Sequence, residues 1–300
     1  MATFTSRSFG LSVRIGSGAD AGAGLTRATY WLSGALALVT AAATGATAFV
    51  PGVLRGLPAM NGSARGTALV LLLVTAPVLV VAMLFAARGS IAAVLAWIGA
   101  LAHVLYNSVL FLFATPFNSL FPLYVAMFSL ALFSVLLVVR QVDVEDLRAR
   151  FSAGLPVRAI AVYILLIVGL NAAAWLKGVI PGLFSSGAPA FLDGTGLTTS
   201  PIYVQDLAFW LPLMALAAVW LWRRLARGYL VVGAMLVMWT IESLTVAADQ
   251  WLGHVADPSS PAIAVFMVPV FVVLAGVGLV PLFVYFRDLA GWPGRPGGER

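Results

Sequence analysis

His103, Tyr106 and Asn107 stand at positions i, i+3 and i+4 of one apolar stretch, and Glu242, Thr245 and Asp249 stand at i, i+3 and i+7 of another. In a helix, each trio shares one face. An imidazole and a carboxylate brought together at one depth are a general acid–base pair, able to pass a proton to a substrate or to tie a solute's movement to a proton's. Asn171 and Lys177 on a third stretch, and Asp206 on a fourth, add polar groups at similar depth. These nine residues are the expected ligand or ion pocket. No residue takes a catalytic or metal role from sequence, because the chain has no nucleophile motif, no Mg²⁺-type carboxylate cluster and no histidine pair suited to haem. An enzyme is therefore the less favoured reading, and no cofactor is indicated.

The elements that must position these groups are eight long apolar segments, at about 29–50, 67–87, 91–114, 119–140, 158–180, 202–222, 229–249 and 262–286. Each is near the roughly 20 residues that a helix needs to cross a ~30 Å hydrocarbon core. They are too long and too evenly apolar for barrel strands, which alternate over about ten residues. The expected fold is an all-α, polytopic membrane helix bundle with eight transmembrane helices. Residues 1–27 read as a disordered tail, 28–290 as the membrane domain and 291–300 as a second tail.

Charge orients the chain. Arg7, Arg14, Arg27, Arg88, Arg140, Arg148, Arg150, Arg158, Arg223, Arg224, Arg227, Arg287, Arg295 and Arg300 fall on one side, against only Arg55 and Arg65 on the other and Lys177 within the fifth span. The positive-inside rule then places both termini in the cytoplasm. The net charge of +6 is explained by this topology and by anionic lipid headgroups, so a nucleic-acid partner is not implied. The expected partners are the lipid bilayer and a small solute or ion. Cysteine is absent, which excludes disulfides and thiol chemistry. One lysine among seventeen basic residues, with abundant Ala and Gly, matches the composition of GC-rich bacteria and of a bacterial inner-membrane protein.

Punctuation recurs along the chain. Pro51-Gly52 and Pro181-Gly182 lie 130 apart, Pro77 and Arg88 match Pro212 and Arg223 at 135, Gly89 matches Gly228 at 139, and Arg140 matches Arg287 at 147. The steadily growing offset suits two parallel four-helix halves, about 28–140 and 158–287, with loop insertions in the second. His103 and Glu242 share the offset of 139 and so would meet near a pseudo-twofold axis. At 1.5 Å per residue they lie about 18 and 20 Å from the arginine-rich ends of their segments. The strong polar groups thus gather in the outer half, consistent with an outward-facing polar cavity, with the 181–201 connection able to cover it. Consecutive segments joined outside also bring Lys177 and Asp206 to one depth, where an ion pair is expected.

The stretch from His103 to Leu132, with Tyr106-Asn107, Pro116-Phe117-Asn118 and Leu123-Tyr124-Val125, resembles a family of bacterial polytopic membrane proteins without a characterised activity. The stretch from Pro201 to Arg224, with Tyr203-Val204, Asp206-Leu207 and Pro212, resembles that family's second signature. The family often has an acidic residue after Arg-Gly at the head of the second segment, where this chain has Arg65-Gly66-Thr67-Ala68. The resemblance implies a shared fold and no activity. On residues alone, the leading expectation is a transporter or permease for a small solute or ion. The alternatives are a membrane-embedded enzyme on a lipid-linked or quinone-like substrate, with His103 and Glu242 as acid and base, and a non-catalytic assembly or sensory protein.

Overall fold

The computed structural model describes residues 25–290. The tails expected at either end lie outside these residues, except that Arg27 opens the first helix. Eight helices are long and apolar enough to cross a membrane: Arg27–Phe49, Pro58–Ala86, Ile91–Phe113, Phe121–Gln141, Val157–Gly182, Pro201–Trp222, Ala226–Ala256 and Val265–Arg287. They are called spans one to eight below. The chain is an integral membrane protein with a multi-pass helical fold. Among the described residues there is no strand, only an isolated bridge between Phe151 and Leu289.

Span boundaries follow local chemistry. Pro58, Pro122 and Pro201 sit in first helical turns, where a missing N–H costs nothing. Ser90 and Ser200 cap spans three and six through the backbone N–H groups of Ala93 and Tyr203. The second span begins nine residues before the apolar run, and the seventh continues seven beyond Asp249. Hydropathy misses these ends because their polar residues can face other helices or the loops.

Spans three and seven form the centre. In their most apolar stretches of 18 residues, 78% and 67% of positions are buried, against 17% in span five and 6% in span eight. Span seven packs on spans two, three, six and eight, and span three packs on two, four and seven. The closest seam is between spans two and seven, where Gly62 and Gly66, one turn apart, lie against the carbonyls of Leu252 and Ala248. A side chain at either position would enter backbone, so these glycines set the interhelical distance. Spans one and four are tied at both ends, by Thr47 Oγ1 to Tyr124 Oη (2.7 Å) and by the Thr26 N–H to Gln141 Oε1 (2.7 Å).

Spans two and six each contain one π-helical turn, Leu71–Thr75 and Asp206–Trp210, ending two residues before Pro77 and Pro212. Proline lacks an N–H and its ring crowds the carbonyl four residues back, and the ladder widens just upstream, with Ala76 donating to Leu71 and Leu211 to Asp206. The extra residue in each turn shifts which side chains face the bundle.

At the arginine end, the connection between spans four and five folds under the bundle. Asp143 caps a short helix, Val144–Ala149, which packs on span seven. Phe151 then inserts between Tyr229 and Tyr285, with ring centroids at 5.0 and 4.8 Å. Two backbone bonds, Ser152 N–H to the Asp288 carbonyl and Ala290 N–H to the Arg150 carbonyl, strap this connection to the end of span eight. That end of the bundle is stoppered.

A buried histidine–carboxylate cluster as candidate functional site

The central spans bring His103 and Glu242 together. His103 Nε2 lies 3.1 Å from Glu242 Oε2, with the two side chains 0% and 5% exposed. The same nitrogen lies 3.0 Å from Thr245 Oγ1, and Nδ1 lies 3.0 Å from Thr75 Oγ1. Asn107, one turn beyond His103, donates from Nδ2 to Glu242 Oε2 (2.8 Å) and to the His103 carbonyl (3.1 Å). Spans two, three and seven thus each supply part of one network.

The hydrogen positions follow from the partners. Thr245 spends its hydrogen on the Ile241 carbonyl (3.1 Å), so it can only accept from His103. Glu242 is also an acceptor, so Nε2 carries a hydrogen whether the ring is neutral or charged. On the other side, Thr75 can donate to a bare Nδ1, or turn its hydrogen to the Val70 carbonyl at 3.5 Å and accept from Nδ1–H. Rotating one hydroxyl accommodates both charge states of the ring. The π turn makes that exchange available, since Val70 is five residues before Thr75.

Tyr106, three residues after His103 on the same side of span three, belongs to a second, adjoining group. Its ring packs against Trp210 and Trp239, with centroids at 5.8 and 6.0 Å, and it lies beside Asp206. Asp206, 1% exposed, accepts from Trp175 Nε1 at 2.8 Å through Oδ2, while Oδ1 has no well-formed hydrogen bond. Trp239 Nε1, Gln205 Nε2 and Asn107 Oδ1 are likewise buried without one. Asp249 stands nearer the loop end, where Oδ1 accepts from Gln250 Nε2 (2.8 Å).

The nine expected pocket residues therefore separate. His103, Asn107, Glu242 and Thr245 meet; Tyr106 and Asp206 form a neighbouring group; Asp249 lies within electrostatic reach of Glu242 but bonds to Gln250, and Asn171 and Lys177 join neither group. The Lys177–Asp206 ion pair does not form. Lys177 is exposed, and Asp206 is held by Trp175 instead. Two residues along a helix is a rotation of about 200°, so the face that delivers Trp175 turns Lys177 away. Thr75 and Trp175 were missed from sequence: each sits in an apolar run, and only the proline two residues after Thr75 hints at an altered face. His103, Asn107 and Thr245 are each at most 1% exposed, and Glu242 is buried too, so the cluster is closed. Among the described residues, no group of three or more His, Cys, Asp or Glu could hold a metal ion. Searches against known family patterns, curated proteins and solved structures return no match to this chain.

Proposed function

We propose that the protein is a proton-linked transporter for a small solute or ion, with His103 and Glu242 as the groups that exchange a proton. The observation that carries this reading is an imidazole and a carboxylate 3.1 Å apart between the two central spans. An ionisable group at such depth costs roughly 2.5–3.5 kcal/mol on insertion scales, which makes a pair of them the first place to look for function. The ring is solvated for both charge states by Thr75 and Thr245, as a site that loads and unloads a proton requires.

Alternating access needs two bodies that rock against each other. The parallel four-plus-four repeat offers them, and its support is local. The two π turns lie 135 apart, as do the helix ends at 85–90 and 220–225, where two hydrogen bonds in each pair the same relative positions. With both termini cytoplasmic, the stoppered arginine end faces inward, and the cluster opens to the opposite side during the cycle.

The test is flux. Liposomes holding the purified chain and a pH-sensitive dye, challenged with a panel of small solutes, should show solute-driven proton movement that Glu242→Gln abolishes while the protein stays folded. Solute movement that proceeds equally in Glu242→Gln and His103→Gln proteins would remove the pair from the mechanism.

A further inference from the structure

Where the arginine ends of spans five and six meet, a cleft of about 570 Å³ opens between the connection at 155–157 and the turn at 222–224. Arg158, Arg223 and Arg224 line it with the ring of Trp222, and no carboxylate does. Among the described residues, the carboxylates that pair with arginine are Glu145, Asp146 and Asp288, and they serve Arg148, Arg150 and Arg287. The three cleft arginines thus gather positive charge with no described carboxylate in the cleft to balance it. Arg158 lies 6.0 Å from the Trp222 ring centroid, and Arg224 has one polar contact, an Nη2 bond to the Ala153 carbonyl at 3.4 Å.

Two further features point to an anion. Arg158 and Ala159 are the second and third residues of a 26-residue helix, and their backbone N–H groups find no acceptor among the described residues. The positive end of that helix therefore opens on the same cleft. Arg224 is also the one described non-glycine residue with positive φ, at 54°, whereas Gly52, Gly89, Gly194 and Gly196 fill the others. The turn at Arg224 is built like that at Gly89: Arg224 N–H to Leu221 and Leu225 N–H to Trp220 mirror Gly89 N–H to Ala86 and Ser90 N–H to Phe85. Glycine is the low-strain residue for this position. An arginine there holds a strained backbone conformation, and that turn sets its side chain at the cleft.

We infer that this cleft is a binding site for a phosphate group, gripped by the guanidinium groups of Arg158, Arg223 and Arg224 and by the free N–H groups at the start of span five. Planar guanidinium forks and backbone N–H groups match phosphate oxygens in charge and geometry. Trp222, half-exposed at the end of its span, sits where aromatic rings meet the headgroup layer. The phosphate can come from an anionic lipid or from a soluble phosphate compound. The site is separate from the histidine–carboxylate cluster and does not depend on the transport reading.

The deciding variant is Arg224→Gly, which relieves the backbone while removing one guanidinium. Full-length protein in detergent is titrated with dioctanoyl-phosphatidylglycerol, inorganic pyrophosphate and dioctanoyl-phosphatidylcholine, following melting temperature and calorimetric binding. At least one of the two anions should bind saturably, and phosphatidylcholine should not. Arg224→Gly should melt higher than wild type without ligand yet bind the anion about tenfold more weakly, with Arg158→Gln and Arg223→Gln weakening it similarly. Saturation by the lipid alone assigns a membrane phosphate; equal or tighter binding of pyrophosphate assigns a soluble one. No anion binding, equal binding of phosphatidylcholine, unchanged affinity in Arg224→Gly, or a lower unliganded melting point for that variant would each overturn the proposal.

Discussion

Spans two and six bend in the same way and are used differently. In both, a π turn precedes proline by two residues, but in span two the turn delivers Thr75 to His103, whereas in span six it begins with Asp206, whose Oδ1 has no well-formed bond. The surroundings differ as well. Span two lies against span seven through glycines at backbone distance, while span six borders spans five and seven and leaves span five largely exposed. The same backbone device thus brings a hydroxyl to an imidazole in one region and a carboxylate to Trp175 in the other, and each region keeps one buried oxygen without a bond, Asn107 Oδ1 and Asp206 Oδ1. What differs is the packing around each bend.

The sharpest way to break this contrast is to push apart the tight seam. Gly66→Ala places a methyl group in the Ala248 carbonyl, so a loss of about 3 kcal/mol or more is expected, read as a fall in melting temperature and in folded yield. Gly276→Ala in span eight has nothing within 4 Å and should gain up to about 1 kcal/mol from helix propensity. Comparable losses at both positions would mean that the two regions are equally packed in the membrane.

Removing one partner of the central pair comes next. Glu242→Ala removes one acceptor from the His103 ring and one from the Asn107 amide, leaving Thr75 and Thr245 on the ring and the His103 carbonyl on the amide, with an expected cost of about 1–3 kcal/mol by reversible unfolding in detergent. The double change with His103→Leu should cost less than the sum of the single changes, because the contact between the two side chains is then lost only once. Additive costs would show that Glu242 and His103 do not stabilise each other.

This pair was legible in sequence, since helical spacing fixes which residues share a face and distance from a span's end fixes depth. Thr75 was not legible, because the π turn moves the facing register in a way that 3.6-residue periodicity does not carry. The separation of Asp206 from the first cluster was hidden for a related reason: depth along the membrane is readable from chain position, but angle around the bundle depends on which spans touch. The eight spans were readable because an apolar solvent leaves the backbone so few alternatives. Their extra turns, at residues 58–66 and 250–256, were not, being polar enough to read as loops.

Smaller effects compare the two π turns directly. Thr75→Val deletes one hydrogen bond to His103, and Trp175→Phe deletes the bond from Trp175 to Asp206. Each should cost about 1–3 kcal/mol, the expense of leaving a buried polar group unmatched. Thr75→Ser should restore most of the first loss, as it keeps the hydroxyl. If Trp175→Phe proves neutral in the same unfolding measurement, the Asp206 region is already wet enough to supply its own partner.

The smallest expected effect is at Lys177, and it tests the angular argument. Lys177 is exposed and turned about 200° from the Trp175 face that meets Asp206, so Lys177→Met should change stability by no more than about 0.5 kcal/mol. Asp206→Asn keeps the shape of the side chain and can still accept from Trp175, but it removes any attraction to a lysine. In a double-mutant cycle the two changes should therefore add, with a coupling below about 0.5 kcal/mol. A coupling of more than about 1 kcal/mol would mean that the lysine reaches back across the helix to the carboxylate, and the exposed fifth span would then be held by charge where the second span is held by packing.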